Sequence, residues 1–294
     1  MADFQKQKVQ WFPGHMAKTR RQIKEMLPLV DGVVELLDAR VPYSSANPEL
    51  DTLVRGKPRI VLLNKCDVAD PAATKRWIAA FEAQGKTALA VDCRSGKGLS
   101  AFLPTVQQVL KKTIEKNTQR GMAGKPLRLM VVGIPNTGKS SFINRMAGKN
   151  RAKVADKAGV TRQNQWFAVG GGIELLDTPG ILWPKFDDPE VGKRLAFTGA
   201  VKDDVLDIEE LACYLMDYLA AHYADTLTER YKIEVEPGDT GYELLEKAGR
   251  KRGFLMRGAQ VDTERMARIL LDEFRAGKLG RFTLETAPTE EVTP

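Results

Sequence analysis

Gly133-Ile134-Pro135-Asn136-Thr137-Gly138-Lys139-Ser140 follows an apolar run and opens a helical pattern. The spacing is G-x-x-x-x-G-K-S, and its chemistry is the binding of phosphate. Glycines let the backbone close around an anion without a side chain in the way. Amide hydrogens and a helix N-terminus then face the anion with positive potential. Asn136, Thr137, Gly138, Lys139, Ser140 and Ser141 are the expected phosphate contacts. Lys139 reaches the β- and γ-phosphates, and the Ser140 hydroxyl is placed for Mg²⁺. Asp177-Thr178-Pro179-Gly180 ends the next strong apolar run. A carboxylate there can hold Mg²⁺ directly or through water, and Gly180 lets a backbone amide approach the γ-phosphate. Thr161 lies in the loop between them and offers a further hydroxyl to the metal.

Asn64-Lys65-Cys66-Asp67 resembles the N-K-x-D signature of GTPases. One carboxylate, Asp67, can accept from both guanine N1–H and the 2-amino group, donors that adenine lacks at those positions. A buried carboxylate left unpaired is costly, so such a site rejects the wrong base strongly. Asn64 can support the loop and the base edge, and the Lys65 stem can cover the purine ring. Asp92-Cys93-Arg94-Ser95-Gly96 falls where a second guanine-side loop belongs. GTPases commonly carry Ser-Ala there and this chain does not, but the backbone amides of Cys93, Arg94 and Ser95 can still meet the guanine oxygen.

Groups so far apart in sequence need a scaffold that brings them together. Gly32–Asp38, Arg59–Asn64, Thr87–Asp92, Leu127–Gly133 and Ile173–Asp177 are short and almost continuously apolar, as parallel strands covered on both faces are. His15–Leu27, Ala72–Gln84, Leu99–Lys116 and Lys139–Ala147 have helical patterns. The alternation predicts an α/β fold with a doubly wound, mostly parallel sheet, which binds ligands at the carboxyl ends of its strands. Trp166–Val169 reads as an edge strand and Asn117–Lys125 as a linker. Strand signals stop near Leu206, and Ile208–Tyr223, Gly241–Gly249 and Asp262–Ala276 read as amphipathic helices. The expected domains are therefore 1–205, an all-α domain over 206–284, and a frayed tail over 285–294.

In this order the guanine motif precedes the phosphate loop, the reverse of the usual arrangement. A sheet can be reconnected this way when its old termini are close. The new ends then fall after Gly180, so the segment most prone to move on hydrolysis leads directly towards residues 206–294.

The motif order resembles that of the circularly permuted GTPases. Trp11-Phe12-Pro13-Gly14-His15-Met16-Ala17-Lys18, Asp38-Ala39-Arg40-Val41-Pro42 and Asp177–Pro184 are similar to segments of the ribosome biogenesis GTPase A family, over about Val9 to Phe282. The resemblance implies GTP hydrolysis in late maturation of the large (50S) ribosomal subunit, with the C-terminal helical domain contacting ribosomal RNA. Many GTPases carry glutamine after the D-x-x-G glycine to orient the attacking water; Ile181 stands there and cannot. The family's catalytic histidine corresponds to His15. Asn136 occupies the position at which potassium-activated GTPases ligate K⁺, which would offset developing charge.

Composition limits the alternatives. The 294 residues are 43% hydrophobic and 28% charged, as in ordinary globular chains. No apolar run reaches the roughly 18–20 residues of a membrane span. Cys66, Cys93 and Cys213 lack metal-ligand spacing and suit a reducing compartment, so bacterial cytoplasm is expected, and the chain is expected to be a monomer. Residues 1–205 carry 33 basic and 20 acidic side chains, against 12 and 18 in 206–294. The basic part suits either a polyanionic partner or plain solubility. Arg250, Lys251, Arg252 and Arg257 form either an RNA contact or a solvated face. Two other readings stay open: a signalling GTPase with a protein partner, and an RNA-binding module that uses GTP only to fix its shape.

Overall fold

A computed structural model describes residues 13–148, 165–180, 188–201, 203 and 206–288, with side chains described from Arg20 onward in the first helix. These residues fall into two compact units, Met1–Asp187 with Thr283–Pro294, and Asp188–Phe282. The helical unit thus begins earlier than the expected residue 206.

The first unit is built on a six-stranded sheet. Its strands are β1 (Gly32–Asp38), β2 (Arg59–Asn64), β3 (Thr87–Ala90), β4 (Leu127–Val132), β5 (Trp166–Ala168) and β6 (Ile173–Asp177), in the order β3-β2-β1-β4-β6-β5. All neighbours are parallel except β5, which runs antiparallel to β6 at the edge. Every residue of β1 is buried. Successive side chains of a strand point to opposite faces, and each face has its own core. Val34 and Leu36 pack with Leu129, Val131, Phe102 and Phe142 on one side. On the other, Val33 packs with Met130, Ile23 and Met26, and Leu37 with Leu63, Trp77 and Phe81.

The helices α1 (Pro13–Met26), α2 (Pro42–Ser45), α3 (Pro48–Leu53), α4 (Pro71–Ala83), α5 (Phe102–Val109), α6 (Lys111–Gln119) and α7 (Lys139–Ala147) complete the described part of this unit. Asp70 caps α4, its carboxylate accepting from the Ala73 amide, and Pro71 sits where a helix needs no amide donor. The segment expected to be a linker from Asn117 begins inside α6, which runs to Gln119.

The second unit holds α8 (Pro189–Phe197), α9 (Ile208–Tyr231), α10 (Gly241–Lys251) and α11 (Thr263–Arg275). The helix expected to stop at Tyr223 continues to Tyr231, with one break at Tyr223 (φ −147°, ψ 42°). Thr240 and Glu243 cap α10 reciprocally. Glu273 gathers Arg230, Arg252 and the Tyr231 hydroxyl, so Arg252 is folded into the unit while Lys251 and Arg257 are exposed.

Thr283–Ala287 returns to the first unit, and its first residues past Glu285 are not frayed. The Leu284 amide donates to the Arg40 carbonyl at 2.8 Å. Trp77 Nε1 donates to the Glu285 carbonyl at 3.2 Å, and Ala287 is buried beside Trp77. The Glu285 carboxylate is held by the backbone amides of Tyr43 and Ser44 (2.7 and 3.0 Å).

Candidate functional site

The sequence between β4 and α7 turns tightly at the carboxyl edge of the sheet. Asn136 adopts a left-handed conformation (φ 61°), and Thr137 Oγ1 donates to the Ile134 carbonyl at 2.9 Å. Lys139, the first residue of α7, folds back and donates to the carbonyls of Gly133 and Ile134, both at 2.9 Å. Asn136, Lys139 and Ser140 line one pocket with Asp177, Pro179 and Gly180 from the end of β6, and with Gln165. A Cβ at residue 180 would lie 3.0 Å from the Pro135 nitrogen and 3.1 Å from Lys139 Nζ, so only glycine keeps the two loops this close.

Burial dominates the electrostatics of this pocket. It pushes the Lys139 ammonium down to about 8, against the opposing attraction of Asp177. It pushes the Asp177 carboxyl up, with Lys139 and the Thr178 amide partly offsetting this. Both groups therefore gain from a ligand that brings compensating charge. A polyphosphate with a divalent cation does so, the phosphates meeting Lys139 and the cation meeting Asp177. The Ser140 hydroxyl and the Asp177 carboxylate are oxygen donors of the kind Mg²⁺ takes. Among the described residues no group of three His, Cys, Asp or Glu could hold a metal. Mg²⁺ keeps waters and uses substrate phosphates, so it needs none.

The Asn64 amide joins the guanine side to the phosphate side. Asn64 ends β2, and its Nδ2 donates to the Thr137 carbonyl at 2.7 Å. Its Oδ1 accepts from the Cys93 amide at 2.9 Å. Asn64 thus ties together all three loops that sequence reasoning had assigned separately. A Cβ on residue 138 would fall 2.3 Å from Asn64 Nδ2, and φ there is +98°, so the position takes glycine on two counts. Asp92 braces the following turn, accepting from the Arg94 and Ser95 amides at 2.8 and 3.2 Å. The amides of Cys93, Arg94 and Ser95 are therefore all engaged within the chain, and a guanine oxygen reaches them only by sharing them. Asp67 accepts from Arg94 Nη2 at 3.1 Å. Ser141, the third residue of α7, is exposed. Thr161 lies outside the described residues, as does the His15 side chain, although His15 belongs to α1.

A family model described as "50S ribosome-binding GTPase" matches residues 128–246. A relative named Ribosome biogenesis GTPase A from Bacillus cereus is 46% identical, covering 95% of this chain and 94% of the relative. One of the same name from Thermotoga maritima is 33% identical, covering 97% and 96%. The chain belongs to the ribosome biogenesis GTPase A family. A GDP-bound YlqF structure matches 90% of this chain and 99% of its own at 30% identity, with a TM-score of 0.64. The structure titled GNP-bound YlqF from T. maritima matches 92% and 98% at 29% identity, with a TM-score of 0.62.

As a ribosome biogenesis GTPase A family member, the chain hydrolyses GTP, with Mg²⁺ as the metal that this reaction ordinarily takes. Sequence reasoning missed several residues that shape the site. Arg145 on α7 donates to the Ser95 carbonyl. Thr178 Oγ1 donates to the Val131 carbonyl at 2.6 Å and fixes the start of the Asp177 loop. Asp38 binds both Arg40 and Lys65. The Asp38-Ala39-Arg40 segment had been noticed only as a point of family resemblance. Arg40 lies 2 residues from Asp38 and Lys65 lies 27, and neither spacing signals that all three converge.

Proposed function

We propose that GTP hydrolysis by this chain controls a late step in maturation of the large ribosomal subunit, and that the subunit stimulates it. The observation that carries this reading is near-full-length similarity to relatives named for ribosome biogenesis. The match to a 50S ribosome-binding GTPase model favours the large subunit.

In this reading Asp67 selects guanine, Asn64 holds the three loops in register, and the Cys93–Ser95 amides border the guanine oxygen with Lys65 over the ring. Amides of Asn136–Ser141 and Gly180 surround the phosphates. Lys139 stabilises charge that builds on the β–γ bridging and γ-oxygens as the bond to the leaving GDP breaks. Ser140, Asp177 and Thr161 would hold Mg²⁺, which would neutralise charge on the same oxygens. Ribosomal RNA docks on the helical unit, where Lys251 and Arg257 remain exposed. The chain acts as a monomer in the cytoplasm, and no described helix is long and apolar enough to cross a membrane.

His15 positions the attacking water in place of the absent glutamine. The test is GTP turnover with purified large subunits. Subunits raise wild-type turnover, while His15→Ala lowers the stimulated rate about 10²-fold or more with little change in GDP affinity. Equal loss of rate and affinity would reduce His15 to a structural role, and absence of any stimulation would remove the ribosomal reading. Asn136 additionally ligates K⁺ beside the phosphates. Replacing K⁺ by Na⁺ at constant ionic strength then lowers turnover about tenfold or more, and equal rates in the two salts dispose of this site.

A further inference from the structure

Asp38 ends β1 directly beside Asn64, its register partner on β2. Its carboxylate is almost completely enclosed, and each oxygen has work. Oδ1 accepts from the Arg40 amide and Nε at 3.1 and 2.9 Å. Oδ2 accepts from Arg40 Nη2 at 2.8 Å and from Lys65 Nζ at 2.9 Å. The Arg40 side chain is 1% exposed and Asp38 3%, whereas Lys65 is 28% exposed. Arg40 grips one edge of the carboxylate from inside, which leaves Oδ2 fixed as an anchor for the partly exposed lysine.

The backbone on which this anchor rests is clamped by the returning C-terminal segment. Thr283 Oγ1 donates to the Ala39 carbonyl at 3.2 Å, and the Leu284 amide to Arg40. The Glu285 carboxylate accepts from the Tyr43 and Ser44 amides and from the Ser44 hydroxyl. Ser45 Oγ in turn accepts from the Asp38 amide at 3.0 Å. Residues 38–45 are thus tied down from both ends.

Lys65 itself has a left-handed backbone (φ 62°), and its four-carbon stem has many rotamers. A stem that must lie flat over a base loses that freedom on binding unless something removes it beforehand. We propose that Asp38 is a positioning residue for guanine-nucleotide binding, holding the Lys65 stem over the purine site, with Arg40 and the Thr283–Glu285 strap as its brace. This rests on the guanine reading of Asn64–Asp67. It adds a reason for the C-terminal segment to return to the nucleotide-binding unit.

Equilibrium binding of GDP and inosine diphosphate to the full chain tests it. Inosine lacks the 2-amino group that Asp67 meets but presents the same ring to Lys65. Lys65→Met keeps an apolar stem and loses the anchor; Asp38→Asn keeps the shape and loses the charge. Each weakens both nucleotides about tenfold, the equivalent of one charge-assisted hydrogen bond, without changing their ratio. The double variant is no weaker than either single one, and Lys65→Arg, which can keep the ion pair, binds within about twofold of wild type. Wild-type affinity in folded Asp38→Asn, or losses that multiply in the double variant, would overturn the proposal. Should Asp38→Asn not fold, the Met and Arg variants decide, and equal affinity of the two is fatal. A wild-type chain that does not prefer GDP to ADP would show instead that the guanine reading has failed.

Discussion

Asp67→Asn turns a chain that prefers guanine nucleotides into one that prefers xanthine nucleotides. In the proposed reading the carboxylate accepts two hydrogen bonds, from N1–H and from the 2-amino group. An amide can accept one of these, but its NH₂ then faces the 2-amino group, donor against donor. Losing a charge-assisted hydrogen bond and leaving a polar group unpaired together cost about 3–4 kcal/mol, or roughly 10²–10³-fold in GDP affinity. Xanthine carries a carbonyl at that carbon, and the same NH₂ can donate to it. The exchange conserves volume. Among the described residues the ion pair it removes is Asp67–Arg94, in which Arg94 is 82% exposed. Pairs of that kind contribute about 0–1 kcal/mol, so thermal stability stays nearly unchanged. Competition of GDP and xanthosine diphosphate against one fluorescent nucleotide measures the effect. Parallel loss of both nucleotides, or unchanged GDP binding, would show that Asp67 does not read the base.

That prediction can be written from four residues of sequence, and it shows how unevenly the structure is encoded there. The parallel strands were readable because both faces are covered, which makes β1 and β2 almost uninterrupted apolar runs. The phosphate loop was readable because its glycines and lysine serve a backbone shape at fixed spacing. α2 and α3 were missed because four and six residues are too few for a helical period. α8 announces itself only by Asp188 before Pro189, a local cap signal easily taken for a turn.

The partnerships that assemble the site were not readable at all. Asn64 and Thr137 are 73 residues apart, and Ser44 and Glu285 are separated by 241. Neither pair has a periodicity or a spacing. An acid near a chain end and an arginine in a basic run both look solvated in sequence. In the fold Glu285 is held by two amides and Arg252 by Glu273. Of the cluster Arg250, Lys251, Arg252 and Arg257, the helical unit therefore turns Arg252 towards its own Glu273. The reversed motif order, in contrast, needs no correction at the geometric level, since Asn64 and Arg145 join the two halves.

Lys139→Ala lowers kcat/KM for GTP by about 10³-fold, the scale on which a preorganised charge aimed at the reacting oxygens contributes. The ammonium also donates to the Gly133 and Ile134 carbonyls, so alanine loosens the loop as well. A pH experiment separates these two effects. Burial sets the free lysine at about 8, and bound phosphates, being anionic, raise it. Below pH 8 the lysine is protonated both free and bound, so GDP affinity is flat. Above it, binding must take up a proton, and affinity falls by about tenfold per pH unit until the raised value is reached. Ionisation of the guanine ring contributes equally to wild type and variant, so the ratio of their affinities isolates Lys139. That ratio is constant from about pH 6.5 to 7.5 and shrinks between about 8 and 9 as the wild type loses its advantage. A ratio independent of pH would mean that the lysine acts through the shape of the loop rather than through its charge.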